Sequence, residues 1–229
     1  MRKTIAFLLL AASLTVHAAP SRITAHYSLS RNGQEMGEVV ETFTQDKGRY
    51  RIESVTQAVG VYRLLTRENI RFISEGRVTR NGLQPLHFEH HRGAAPARRI
   101  IADFDWKVRQ VRLEHDGEEQ TLPISPGLQD RLSLMYQFMF LSLNKPVLVF
   151  DMTNGRKISR YEYRRVGEEP LATPAGRFRT VHLSRVREPG DDGTDVWLAL
   201  DRHQLPVKVV FEEEGGVRLS QVLTRLLVQ

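Results

Sequence analysis

The sequence predicts a mostly β protein: a single domain of antiparallel strands forming a curved or spiral β-roll or open barrel, with one buried α-helix. Three observations predict it. Apolar and polar residues alternate with period two along nearly the whole chain, as in half-buried strands. The alternating runs are punctuated by "RNG", "DKG", "HDG" and "TNG", which are hairpin signals. One segment breaks the period. "SPGLQDRLSLMYQFMFLSL", Ser125 to Leu143, is apolar nearly all round, and such a helix has to be enclosed.

The elements follow in order. "ITAHYSLS", "EVVETFTQ" and "YRIESVTQAV" read as a meander, and "GVYRLLT" as a short helical turn. "ENIRFISEGRVTRNGLQPLHFEHHR" supplies two strands around "RNG", and "RIIADFDW" and "RQVRLEHDGEEQTLPI" supply more. Ser125 suits the helix N-cap and Pro126 its first position, with the helix body running from about Leu128 to Leu143. "KPVLVFDMTNGRKISRYEYRRV" is a hairpin, and "ATPAG" is a tight reversal. In "GRFRTVHLSRVRE", Arg177 and Arg179 share parity with Val181 and Leu183, a conflict that a bulge near Thr180 would repair. "TDVWLALD" and "PVKVVFEE" form the next pair, with Trp197 packing on the core. "GVRLSQVLTRLL" is the last strand, although Leu219, Val222, Leu223 and Leu226 also have helical spacing.

The N-terminus predicts export. Arg2 and Lys3 precede a 13-residue apolar run, Thr4 to Val16, and "VHA" then presents small residues for cleavage after Ala18. Residues 1–18 read as a signal peptide and residues 19–229 as one β-rich periplasmic domain, with secretion to the medium as the alternative. The chain has no cysteine. The domain is therefore held by its core alone and lacks a lipid-attachment cysteine. No later apolar run reaches membrane-spanning length. The net charge of +6 includes two charges in the leader. The basic residues are dispersed among acids, which fits arginine-rich codon usage before it fits a surface for anionic partners. Nucleic acid is excluded as a partner, because no nucleic-acid motif accompanies the export signal.

The chemical candidates are few. His87, Glu89 and His91 share a strand face at Cα spacings of about 6.6 Å, without zincin spacing; the reading is a solvated face and no metal. "GDDGTD" is too short for a calcium loop. Asp103 and Asp105 are paired carboxylates on one strand face and read as exposed acids. No nucleophile elbow, catalytic cysteine, P-loop or dinucleotide motif occurs, so no catalytic residue and no cofactor is assigned. Asp130, Arg131, Ser133 and Tyr136 are polar residues on the enclosed helix. They either tie it to the sheet or line a pocket, and they are the candidate binding residues.

"DRLSLMYQF", "FDMTNGRKISRYEY", "TPAGRFRTVHL" and "VWLALDRHQLPVKV" together resemble a family of exported Gram-negative proteins, domain of unknown function 3108. The resemblance covers roughly residues 23 to 225. It implies a mostly β domain rolled around a helix, and no established activity. Trp197, Asp201 and Pro206 also resemble landmarks of periplasmic lipoprotein carriers, in which a curved sheet holds acyl chains under a helical lid. The expected function is a non-enzymatic periplasmic protein of envelope biogenesis or maintenance that binds a lipid, lipoprotein or glycan. A hydrolase of envelope glycan or lipid, and a structural partner in an envelope complex, are the alternatives.

Overall fold

The computed structural model describes residues 20–65, 69–93, 99–188, 191–213 and 215–229. The expected leader, residues 1–18, lies outside them. The described residues form β1 (Arg22–Arg31), β2 (Gln34–Asp46), β3 (Arg49–Ala58), α1 (Tyr62–Leu65), β4 (Ile70–Thr79), β5 (Gly82–Arg92), β6 (Arg99–Asp105), β7 (Gln110–His115) and β8 (Glu118–Pro123). After these come β9 (Gln129–Asp130), α2 (Arg131–Gln137), β10 (Val147–Thr153), β11 (Ile158–Thr173), β12 (Gly176–Arg185), β13 (Gly193–Ala199), β14 (Leu205–Glu212) and β15 (Arg218–Val228).

All the strands belong to one open sheet. It runs from β8 back to β1, continues into β15, and then runs back to β9. Each half is a meander, and the two are joined where β1 pairs antiparallel with β15. Among the described residues, only the short β9–β10 pairing is parallel. Asn32–Gly33, Lys47–Gly48 and Asp116–Gly117 all have positive φ at both positions, the backbone that tight two-residue hairpins require.

The sheet coils around α2. Leu132 and Tyr136 pack into a cluster with Phe43, Ile52, Phe88 and Leu113, from the first half of the sheet. Leu134 and Phe138 pack into a second cluster with Tyr163, Leu183, Val196 and Val209, from the second half. One short helix thus feeds two cores from opposite flanks, which is why its sequence is apolar nearly all round.

The two edges do not close by backbone pairing. β6 pairs only with residues His87–His91 of β5, so the start of β5 has no strand on that side. Side chains take its place. The Leu83 N–H donates to Gln137 Oε1 at 2.7 Å, and the Leu83 carbonyl accepts from Gln129 Nε2 at 3.0 Å. Gln137 Nε2 donates to the Asn81 carbonyl at 2.9 Å, and Trp106 Nε1 to that of Pro85 at 2.6 Å. Gly82 is obligatory here: its φ is +98°, and a Cβ would stand 2.3 Å from Gln137 Oε1.

Two sequence expectations need correction. The helix is shorter than Leu128 to Leu143. Gly127 at φ +83° breaks its expected first turn, and Gln129–Asp130 are extended against Met152–Thr153. Asp130, not Ser125, is the N-cap, while the Ser125 hydroxyl donates to Asp151. After Gln137 the chain tightens into a 3₁₀ turn, Phe138–Phe140, and Leu141 is extended. Second, β12 keeps unbroken register with β13 through Thr180. Phe178 and Val181 are both buried because each face of β12 is covered there, by two different clusters; the irregularity lies in β11, between Arg165 and Gly167. Trp197, as expected, packs on the core, partly buried against the cluster of Ala25, Tyr27 and Leu223. It stacks on His182 at 4.2 Å, with Lys208 Nζ 4.5 Å from its ring centre, and donates to Glu169.

Candidate functional site

The four polar residues of the helix region divide into three that are engaged and one that is not. Asp130 is fully buried. Its carboxylate accepts from the backbone N–H groups of Leu132 and Ser133 at 2.9 and 2.7 Å, and from the Ser74 hydroxyl at 2.5 Å. The Tyr50 hydroxyl lies 3.1 Å beyond, against Ser74. Ser133 Oγ accepts from the Asp130 N–H at 3.0 Å, completing a capping box. Burial pushes the Asp130 carboxyl up to about 6, although the Ser74 and Ser133 hydrogen bonds favour the anion. Tyr136 donates to the buried Glu41 at 3.1 Å, and Ser54 and Gln221 also donate to that carboxylate. Burial raises the Glu41 pKa as well. Asp130, Ser133 and Tyr136 therefore tie α2 to β2–β4 and β15.

Arg131 is different. Among the described residues, no carboxylate lies within ion-pair distance of it. Its guanidinium stands 5.4 Å from the ring centres of both Phe72 and Phe211. Arg131 is exposed, and it lines an open cleft. Enclosure by the surrounding strands lowers its pKa, with Tyr161, Tyr163 and Glu41 acting in the opposite direction.

The cleft has a volume of about 640 Å³. Phe72, His90 and Ile100 form a cross-strand row along its wall. Arg92, Asp116, Asn154 and Arg156 complete the lining with Arg131. The β10–β11 turn carries Arg156 to this place. Asn154 Oδ1 accepts from the Arg156 and Lys157 N–H groups, and Thr153 Oγ1 accepts from that of Gly155. Gly155 sits at φ +87° so close to β6 that a Cβ would stand 2.4 Å from Ile100. Across the open edge, Gln120 donates to the Arg156 carbonyl at 2.9 Å, and Arg156 pairs with Asp116.

His90 has its ring stacked on Phe72 at 4.2 Å, and its Nε2 is buried without a hydrogen-bond partner. Burial, then the charges of Arg131, Arg156 and Arg92, push its pKa down to about 4. His90 and Arg92 were not among the sequence candidates. The period-two pattern of "LHFEHHR" drew attention to the other parity, yet the same pattern places His90 and Arg92 on the face of Phe88.

His87, Glu89 and His91 lie together on the opposite face. His87 contacts Asp103 Oδ1 at 2.6 Å through Nδ1 and Glu89 at 2.8 Å through Nε2; His91 contacts Glu89 at 2.5 Å. Arg99 also donates to Glu89, and Arg112 to Asp103. Burial opposes ionisation of Glu89, but hydrogen bonds from His91, His87 and Arg99 outweigh it and hold the carboxyl down to about 2. Among the described residues, no group of three or more such side chains has a metal-binding arrangement. Asp103 belongs to this ion-pair lattice, whereas Asp105 caps the next turn by accepting from Lys107 and Val108; the two do not converge.

Residues 22–222 match the family described as "Protein of unknown function (DUF3108)". The fold is similar to a beta-barrel-like protein of domain of unknown function 1849 from Brucella abortus, at TM-score 0.48 and 8% identity, over 93% of this chain and 99% of that one. It is also similar to a protein assigned as exported, with a YmcC-like fold, from Bacteroides fragilis, at TM-score 0.35 and 12% identity, over 91% and 96% of the two chains. No curated protein matches the chain. No helix among the described residues is long and apolar enough to cross a membrane.

Proposed function

The chain belongs to the family of unknown function DUF3108, and we propose that this member is a non-enzymatic periplasmic protein of envelope biogenesis or maintenance that binds an envelope lipid, lipoprotein or glycan in the cleft. The observation that carries the reading is Arg131: a guanidinium with no carboxylate partner among the described residues, lining an open cleft of about 640 Å³. The cleft is lined mainly by polar and charged side chains, with Phe72 and Ile100 as its apolar contacts.

Periplasmic residence is supported by the ordered n-region, apolar run and cleavage site of residues 1–18. N-terminal sequencing of the protein from the periplasmic fraction should begin at Ala19; intact Met1 in the cytoplasm overturns this. Native mass spectrometry of the same material should show one envelope-derived mass per chain. Ligand-free protein that cleaves envelope glycan or lipid would replace the binding reading with a hydrolase.

A further inference from the structure

Given that the cleft is a binding site, we propose that it recognises a phosphoryl group, with Arg131 as the anchoring side chain and Arg156 and Arg92 as exposed flanking cations. The charge count points there. Arg131, Arg92 and Arg156 share the cleft with one carboxylate, Asp116, which is paired with Arg156. Two positive charges are left uncompensated, the charge that a phosphomonoester dianion supplies. Glu41, the interior carboxylate whose charge bears on Arg131, is committed to Tyr136, Ser54 and Gln221. Arg131 also stands in the first turn of α2, where a helix favours anions over cations. Nothing local to the fold therefore accounts for a cation at this position.

The choice of side chains is informative too. Guanidinium forks suit phosphate geometry, and arginine keeps its charge when enclosed. The Phe72 and Phe211 rings each make a cation–π contact with the Arg131 guanidinium, which leaves its N–H groups free to donate. The His90 ring lines the same space, and its Nε2 is buried without a hydrogen-bond partner. Phe72 and Ile100 offer apolar contact to whatever carries the phosphoryl group.

The test is calorimetric titration of the exported full-length protein with three probes: inorganic phosphate, dihexanoyl phosphatidic acid and dihexanoyl phosphatidylcholine. One site per chain is expected, binding phosphatidic acid and not phosphatidylcholine. Phosphatidic acid binding more tightly than phosphate identifies a lipid headgroup as the source; equal binding identifies free phosphate or a phosphorylated glycan. Arg131→Gln should weaken binding about 10- to 100-fold, the loss of hydrogen bonds to a charged group, and Arg131→Lys should restore part of it. Should Arg131→Gln fail to fold, the exposed pair Arg92→Gln/Arg156→Gln must show a loss of the same direction. Undiminished binding by folded Arg131→Gln, or equal binding of phosphatidylcholine, overturns the assignment. If all three probes fail while native mass spectrometry finds a neutral envelope ligand, the phosphoryl assignment falls and the binding reading stands. If neither finds a ligand, both fall.

Discussion

Strand β5 carries histidine in two opposite circumstances. On its outer face, His87 lies between Asp103 and Glu89, and the Asp103 hydrogen bond raises its pKa. On its inner face, His90 lies among arginines against Phe72, and its pKa falls to about 4. The outer face satisfies charge with charge. Pairing across neighbouring strands aligns Arg51, Glu75, His87, Asp103 and Arg112 in one row of mostly alternating sign. The inner face instead satisfies its carboxylates, Asp130 and Glu41, with hydroxyls, amides and backbone N–H groups, and leaves Arg131 without a carboxylate partner among the described residues. The lesson is that outer charges close on themselves, whereas inner positive charge is left open toward a space.

The comparison breaks most visibly in stability. Phe88, between those two histidines, is fully buried, and Phe88→Ala should cost about 3–5 kcal/mol. Phe138→Ala should cost the same, because its buried ring makes edge contacts with Phe150 and Tyr163. His87→Ala should cost less than about 1 kcal/mol, since exposed ion pairs are weak. Guanidinium melts of the three variants give the order. A small midpoint change for Phe138→Ala would mark the helix region as a mobile lid rather than a fixed plug.

The next largest effect is pH-dependent. Burial raises the Asp130 carboxyl from its ordinary value to about 6. A raised carboxyl favours the folded protein while protonated, so its contribution is complete below about pH 4 and is lost as pH rises through about 6. The loss should be on the order of 2–3 kcal/mol. Asp130→Asn keeps a good N-cap and removes the titration, so the gap between it and the wild type should widen from pH 4 to pH 7. A gap that is constant with pH would refute a protonated Asp130. Glu89 has the opposite sign: its carboxyl is held down to about 2. Its contribution is present above about pH 4.5 and is lost as pH falls toward 2, and high salt should weaken it.

The strands and turns were legible because each rests on local chemistry: alternation for β1 to β7, and Asn-Gly or Asp-Gly at the reversals. The helix was legible as an enclosed element but not in extent. Its start depends on Gln129–Asp130 being drawn into parallel pairing with β10, a contact between residues far apart in sequence. Asp130, Ser133 and Tyr136 could be recognised as polar groups needing partners, but the partners come from strands far earlier in the chain, Ser74 56 residues before Asp130 and Glu41 95 residues before Tyr136. Arg131 was singled out for its charge on an enclosed element, and it lines the cleft. His90 and Arg92 were missed because alternation says which residues share a face without saying which face looks inward. Phe88, apolar and of their parity, was the available signal.

The smallest effect tests the comparison most directly. In ligand-free protein, imidazole titration by NMR should place the His87 midpoint above the ordinary 6.5 and that of His90 near 4. The groups bearing on His90 are Arg131 on α2, Arg156 on the β10–β11 turn, and Arg92 and His91 on its own strand. All are cationic when protonated, and Phe72 supplies no charge. A lowered histidine favours the folded protein while neutral, so its contribution is present above about pH 6.5 and is lost as pH falls toward 4. His87 has the reverse sign: its contribution is present at low pH and is lost as pH rises through its raised midpoint. Arg131→Gln should move the His90 midpoint upward and leave His87 unchanged, because only the inner face loses a charge. A His90 midpoint that stays put in that variant would mean that the two side chains do not share one enclosed space.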